Sequence, residues 1–308
     1  MRAILALTAT LWVATALAQA PTGAQPAKPK KLSLRVIGAR EPPPTQQQPA
    51  DRFEVDQEAG ELRFQSQGPD GRVRSYQVTL PIQVRPQVSS QVDLLTSGRI
   101  LYRYHVTNRP GARQSIRLFA IAMDHPDQLS DIKAPEHWRP GMHSLAEWGT
   151  PSRYNWWPDA PLAFLIAPGG SAGPFSFSSA ELPGLSHTYI EGDTELRSPP
   201  EFHMASPWIL EKFNEATMGE NIFVRVPVIG PKITVPESRQ ELVAEIQKEV
   251  RGAATRPEFA AIQQELISLA DKIGTPEAAA VMPAGKNQLQ REFLAAMALN
   301  LTVLSAKR

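Results

Sequence analysis

No cysteine occurs among the 308 residues. That excludes a disulfide framework, a thiolate metal site and a lipid-modified cysteine, so the fold must be held by its apolar core alone. An excess of one charge is also missing: 32 lysines and arginines stand against 31 aspartates and glutamates. A balanced chain has no field to draw it onto nucleic acid or an anionic bilayer, and no nucleic-acid partner is expected. Beyond the first twenty residues there is no long apolar run. A spanning helix needs about 20 apolar residues, so no membrane span is expected in the mature chain. Proline is plentiful, at 29 residues, which favours loops, turns and edge strands over long helices.

What is present starts with a tripartite N-terminus. Arg2 supplies a positive charge, Ala3 to Leu17 is apolar apart from threonines, and Ala18-Gln19-Ala20 is a small-x-small site before Pro21. That order predicts a cleavable signal peptide over 1–20, and so export to the periplasm or the extracellular space. Residues 21–30 read as a flexible leader. Leu32, Leu34 and Val36 then alternate with polar residues as a strand does, and 38–50 is a proline- and glutamine-rich loop.

Over 31–235 the apolar period is mostly two. Phe53 and Val55, then Leu62 and Phe64, alternate on either side of a DQEAG turn. Val73, Tyr76, Val78 and Leu80 follow the turn Gly68-Pro69-Asp70-Gly71. The clearest hairpin is 99–123: Ile100, Tyr102, Tyr104 and Val106 share a face, Asn108-Arg109-Pro110-Gly111 turns, and Ser115 to Met123 returns. Residues 124–160 read as irregular, Pro161 to Ala167 as a short strand, and Phe175 and Phe177 as part of another. Ser206-Pro207 caps a short helix through Phe213, and 221–226 and 228–235 close the β region. Many short strands without intervening long helices predict a mainly β protein built on an antiparallel sandwich. From Pro236 the period becomes helical. Ser238-x-x-Glu241 is a capping box, and Val243, Ile246 and Val250 form a stripe. Phe259, Ile262, Leu266, Leu269 and Ile273 form a second, closed by Gly274. Thr275-Pro276-Glu277 starts a short helix, and Leu294, Met297, Leu301 and Leu304 mark the last. A small helical domain over 236–308 is expected.

Candidate chemistry is sparse. Gly169-Gly170-Ser171-Ala172-Gly173 matches the nucleophile-elbow pattern, but the elbow needs a helix straight after its serine, and Pro174-Phe175-Ser176-Phe177 is strand-like. The expected reading is a glycine-rich hairpin loop. A secreted hydrolase using Ser171 or a pair of carboxylates is the alternative function. Asp124, His125, Asp127, Asp131, Glu136, His137 and His143 cluster in sequence without the spacing of a metal site. No catalytic residue, metal ligand or cofactor is assigned. Trp138, Trp148, Trp156 and Trp157, with Tyr154 among them, are the candidate binding residues. Indoles in loops beside a sandwich either anchor those loops or offer ring faces to a sugar or a partner protein, with Asn155, Arg153 and Asp159 then supplying the polar contacts. A glycan or another envelope protein is the expected partner of a non-catalytic binding or structural protein.

Residues 99–108 (RILYRYHVTN), 164–179 (FLIAPGGSAGPFSFSS) and 182–192 (LPGLSHTYIEG) together resemble exported bacterial proteins of unknown function that carry an immunoglobulin-like β-sandwich. The resemblance covers about half of the mature chain. It implies a sandwich and a place outside the cytoplasm, and it brings no catalytic residue.

Overall fold

The computed structural model describes residues 50–68, 70–143, 152–160, 163–194, 205–217 and 222–307. The expected signal peptide, leader and first strand, and nearly all of the 38–50 loop, lie outside them.

The first sheet is a small antiparallel one of β1 (Arg52–Asp56), β2 (Glu61–Gln67) and β3 (Val73–Thr79). Phe53, Phe64 and Tyr76 pair across it in one row, and Val55, Leu62 and Val78 in another. Both rows point to the same side because the strand period is two. Helix α1 (Pro207–Thr217) lays Ile209 and Phe213 on that face and makes an apolar cluster with Leu62, Phe64, Val78 and Leu80. The cap expected at Ser206 is present: its Oγ accepts from the Ile209 N–H at 3.3 Å and donates to Asp51 Oδ2 at 2.6 Å.

The remaining strands form two sheets. The first orders as β4 (Pro86–Leu94), β5 (Ile100–Asn108), β10 (Ser171–Ser179) and β7 (Ser130–Lys133). The second orders as β12 (Val224–Ile233), β11 (Leu182–Gly192), β6 (Ile116–Ala122), β9 (Arg153–Pro158) and β8 (Trp138–His143). All pairings between named strands are antiparallel. The sheets face each other across aromatic side chains. Tyr104 lies 5.9 Å from Phe119, Phe119 lies 5.0 Å from Phe175, and Trp156 lies 6.1 Å from Phe177, ring centre to ring centre. The alternation over 100–106 points inward as expected, with Ile100, Tyr102, Tyr104 and Val106 all fully buried. The two phenols keep hydrogen-bond partners there: Tyr102 donates to the Glu181 carbonyl at 2.8 Å and Tyr104 to that of Ile229 at 3.0 Å.

Two expectations need correction. Residues 124–160 are not irregular, since they contain β7, β8 and β9. Of the apolar stretch from Pro161 to Ala167, expected as a short strand, the described residues 163–167 contribute a bridge between Ile166 and Ile116. The prolines explain part of this. Pro140 lies in edge strand β8, and Pro227 and Pro231 in edge strand β12. An edge leaves one row of N–H groups unneeded, so proline is tolerated there.

After β12 come α2 (Arg239–Ala254), a 3₁₀ segment (Pro257–Ile262), α3 (Gln263–Lys272), a second 3₁₀ segment (Pro276–Val281) and α4 (Gln288–Ala306). Ser238 caps α2 by accepting from the Glu241 N–H at 3.0 Å, as the capping box predicts. Gly274, at φ +96°, ends α3 in a conformation that disfavours any residue with a Cβ. The mainly β sandwich followed by helices is therefore observed. The helices bury Ile246, Leu266, Phe293 and Met297 in the same apolar cluster as the sandwich residues, and residues 45–308 form one compact unit. Among the described residues no helix is long and apolar enough to cross a membrane.

Candidate functional site

Strand β9 places the site. Its residues alternate: Tyr154 and Trp156 enter the core, while Arg153, Asn155 and Trp157 take the opposite, outer face of the five-stranded sheet. On neighbouring β6 the positions beside Arg153 and Asn155 are Ala122 and Ala120. These small residues leave space into which long side chains from β9 and β11 extend. Tyr189 of β11 pairs with Ala120 on one side and with Arg225 of β12 on the other.

Arg153 fills that space and is 2% exposed. Its guanidinium carbon lies 4.9 Å from the Tyr189 ring centre and 4.4 Å from that of Phe223. None of Nε, Nη1 and Nη2 has a hydrogen-bond partner among the described residues, and neither has Oδ1 of Asn155, which is 3% exposed. Burial pulls the Arg153 pKa below its ordinary value, against the opposing influence of Tyr189 and Glu191. Glu191 is itself engaged, accepting from Arg117, and burial pushes its carboxyl up despite that bond. A second guanidinium, that of Arg225, stands 5.6 Å from the Tyr189 ring centre.

Ala122 and Tyr189 also line a cavity of about 240 Å³, with Asp124, His187, Lys232 and Arg256 around it. His187 Nε2 lies 3.2 Å from Arg256 Nη1. Arginine only donates, so Nε2 accepts and the imidazole is neutral. Burial holds the His187 pKa below its usual value, and Arg256 and Arg225 add to this. Lys232 Nζ lies 3.9 Å from Asp124 Oδ2. Larger hollows of about 500 and 610 Å³ border the three-stranded sheet, but the described unpartnered buried side-chain atoms belong to Arg153, Asn155 and Asn300 and so lie elsewhere.

The sequence-predicted tryptophans divide. Trp138 is 7% exposed and donates its indole N–H to the Phe164 carbonyl at 3.1 Å; Trp156 is fully buried and donates to that of Lys133 at 3.2 Å. Tyr154 is buried beside Trp156, ring centres 5.3 Å apart. These three are corrected from candidate binding residues to core residues, because β8 and β9 turn them inward between the sheets. Trp148 lies outside the described residues. Trp157 alone of the described candidates reaches solvent, at 37% exposure. Its indole lies across Gly141 of β8, where an added Cβ would strike the ring.

Ser171 opens β10 opposite Thr107 and is exposed. A strand and not a helix follows it, so the elbow's context is missing; the glycine-rich run is not a hairpin loop either, since β10 pairs with β5 and β7. Asp193 and His203 follow Ser171 in the chain order of a hydrolase triad; the Asp193 N–H donates to the Ser115 carbonyl, and His203 lies outside the described residues. The acid and histidine cluster disperses. His125 Nε2 lies 4.0 Å from Glu181 Oε1, Asp131 accepts from Ser178, and His137 stacks on Phe164 at 3.7 Å. Among the described residues no group of three or more histidines and acids is placed to hold a metal ion. The residues that sequence reasoning missed are Tyr189 and Phe223. Arg153 and Asn155 stand in the tryptophan-rich stretch as its expected polar contacts, and Arg153-Tyr154-Asn155-Trp156 alternates polar with aromatic as a strand with one buried face does.

No protein-family model matches the chain, and no curated protein matches it. Among solved structures the chain is similar to an uncharacterized protein from Nocardia farcinica whose crystal structure reveals an immunoglobulin-like fold. Identity is 10% and the TM-score 0.26, over 46% of this chain and 96% of that one.

Proposed function

We propose that this chain is an exported, non-catalytic binding protein whose ligand docks on the outer face of the five-stranded sheet. The observation that carries the reading is Arg153, a charged side chain 2% exposed whose three nitrogens have no described partner. Burying a charge without a partner costs several kcal/mol. Two ring faces each return about 2 kcal/mol when desolvated, but a ring face gives the remaining N–H groups no acceptor. The three nitrogens are thus without a described hydrogen-bond partner in the free protein, and a ligand that brings an acceptor supplies one. Around Arg153 the chemistry is that of recognition: donors, one unpartnered acceptor and aromatic rings. Export rests on the tripartite N-terminus, and the intact mass of the secreted protein tests it. Cleavage at or near Ala20 is expected, and a mature chain still carrying Met1 would refute export.

The site reading has a test that needs no ligand. Arg153→Met keeps the length and apolar contact of the side chain while removing its charge. If Arg153 is held for binding, the variant melts at the same temperature as the wild type or higher. A fall in Tm equivalent to about 3 kcal/mol, the scale of breaking a satisfied buried pair, would make Arg153 a structural residue and remove the basis of the proposal.

A further inference from the structure

Strand β9 carries more than the arginine. At steps of two residues, about 7 Å apart along the strand, its outer face carries three different groups: the buried Arg153 guanidinium, the buried Asn155 Oδ1 acceptor and the partly exposed indole of Trp157. Each asks for a different feature of a ligand. The planar fork of arginine is matched by a planar acceptor that takes two parallel N–H bonds, which a carboxylate does in the guanidinium's own plane. The guanidinium carbon lies over the Tyr189 and Phe223 rings, and all three of its nitrogens are buried and without a described partner. Asn155 Oδ1 needs a donor. Trp157, whose ring edge comes against Gly141, keeps part of its indole in solvent.

From these three demands together we infer that the outer face of β9 is a subsite for an acidic glycan, in which a uronic acid places its carboxylate on Arg153 and a hydroxyl on Asn155 while an adjoining sugar ring lies on Trp157. The inference rests on the site reading given above and names its ligand class. A neutral sugar leaves the guanidinium unpaired. Sulfate has neither the planarity nor a donor for Asn155. A peptide carboxylate satisfies Arg153 but brings no ring for the indole. The proposal requires Phe223 to move aside: it is half-buried, precedes β12 outside the strand ladder and lies against the guanidinium, so its displacement is what would uncover the Arg153 nitrogens.

The test uses the full mature chain and follows tryptophan fluorescence and calorimetric titration. The probes are tetragalacturonate and a hyaluronan tetrasaccharide, with cellotetraose, sodium sulfate and N-acetyl-Ala-Ala as comparators. Saturable binding is expected for at least one uronate, at least tenfold tighter than for any comparator. Arg153→Met abolishes it, and Trp157→Ala weakens it about tenfold while lowering Tm by no more than about 2 °C. Equal binding of cellotetraose, preference for the dipeptide or for sulfate, or no uronate binding at millimolar concentration would each overturn the assignment. The failure modes are separable. Absent uronate binding with an undiminished Arg153→Met Tm discards the acidic sugar and keeps the binding face. A large Tm loss in that variant discards both.

Discussion

Trp156 and Trp157 are neighbours in the chain and opposites in the structure. Trp156 is fully enclosed, stacked 5.5 Å from Phe119 and edge-on at 5.7 Å to Phe175. Its indole N–H is satisfied by the Lys133 carbonyl. Replacing it with alanine leaves a cavity between two sheets whose strands cannot collapse into it, and losses for such a change run at about 3–5 kcal/mol. Trp157 keeps 37% of its surface in water and its ring edge comes against Gly141, so Trp157→Ala is expected to cost about 0.5 kcal/mol. Urea unfolding of the two variants measures both numbers. Equal losses would mean that the indole of Trp157 is anchored as firmly as that of Trp156 and does not serve as an outward platform. Composition alone does not separate these residues, because two adjacent aromatics read as an apolar pair. What separates them is strand parity, and parity becomes visible only when 153–158 is taken as a strand and not as a proline-bounded loop.

At the level of elements, strands with clean alternation and a recognisable turn are legible in the sequence. The 99–123 hairpin has both, and its inward face is the one expected. The legible helices are likewise those with caps, such as α2 behind Ser238. Strands β4, β8 and β9 are not legible, since each begins, ends or is interrupted by proline, and β9 also depends on β6, distant in the chain. The site shares that difficulty, because Arg153, Tyr189 and Phe223 come from separate stretches joined only by strand pairing. The contact of α4 with the sandwich is of the same long-range kind and can be tested by itself. Ser90 of β4 donates its hydroxyl to Glu292 Oε2 at 2.5 Å and its backbone N–H to the same oxygen at 3.1 Å. The hydroxyl also accepts from the Ile229 N–H of β12 at 3.3 Å. Ser90 thereby joins the edges of both sheets to the helix that covers them. Hydrogen bonds to a charged acceptor contribute about 1.5–3 kcal/mol. Glu292→Ala is expected to lower stability by about 2–3 kcal/mol and Glu292→Gln by less, as read from chemical denaturation. An unchanged midpoint in the alanine variant would mean that α4 is held by apolar packing alone.

For the molecule as a whole, the question is whether the helices after Pro236 are an appendage or part of the body. The change of apolar period at that residue suggests a boundary, and the secondary structure does change there. Packing argues for one cooperative unit. Leu242, Ile246, Val250, Phe259, Leu266, Phe293 and Met297 are buried in the cluster that also contains Leu182, Leu185 and Ile233 of the sandwich. Polar links cross the same seam. Asn300 donates to the Pro183 carbonyl at 2.8 Å, and Glu249 accepts from the Leu185 N–H at 2.5 Å. Cutting the chain after Pro236 would expose that apolar face and leave those backbone groups without their helical partners. Apolar area returned to water costs about 25 cal/mol per Å², against a total domain stability of only about 5–15 kcal/mol. A fragment of residues 45–236 is therefore expected to be aggregated or to bind a hydrophobic dye and unfold without a sharp transition, whereas residues 45–308 unfold in one cooperative step by calorimetry. A soluble fragment with its own sharp transition and native-like tryptophan emission would show that the sandwich stands alone, and the seam between Leu185 and α2 would then be a docking contact and not shared core.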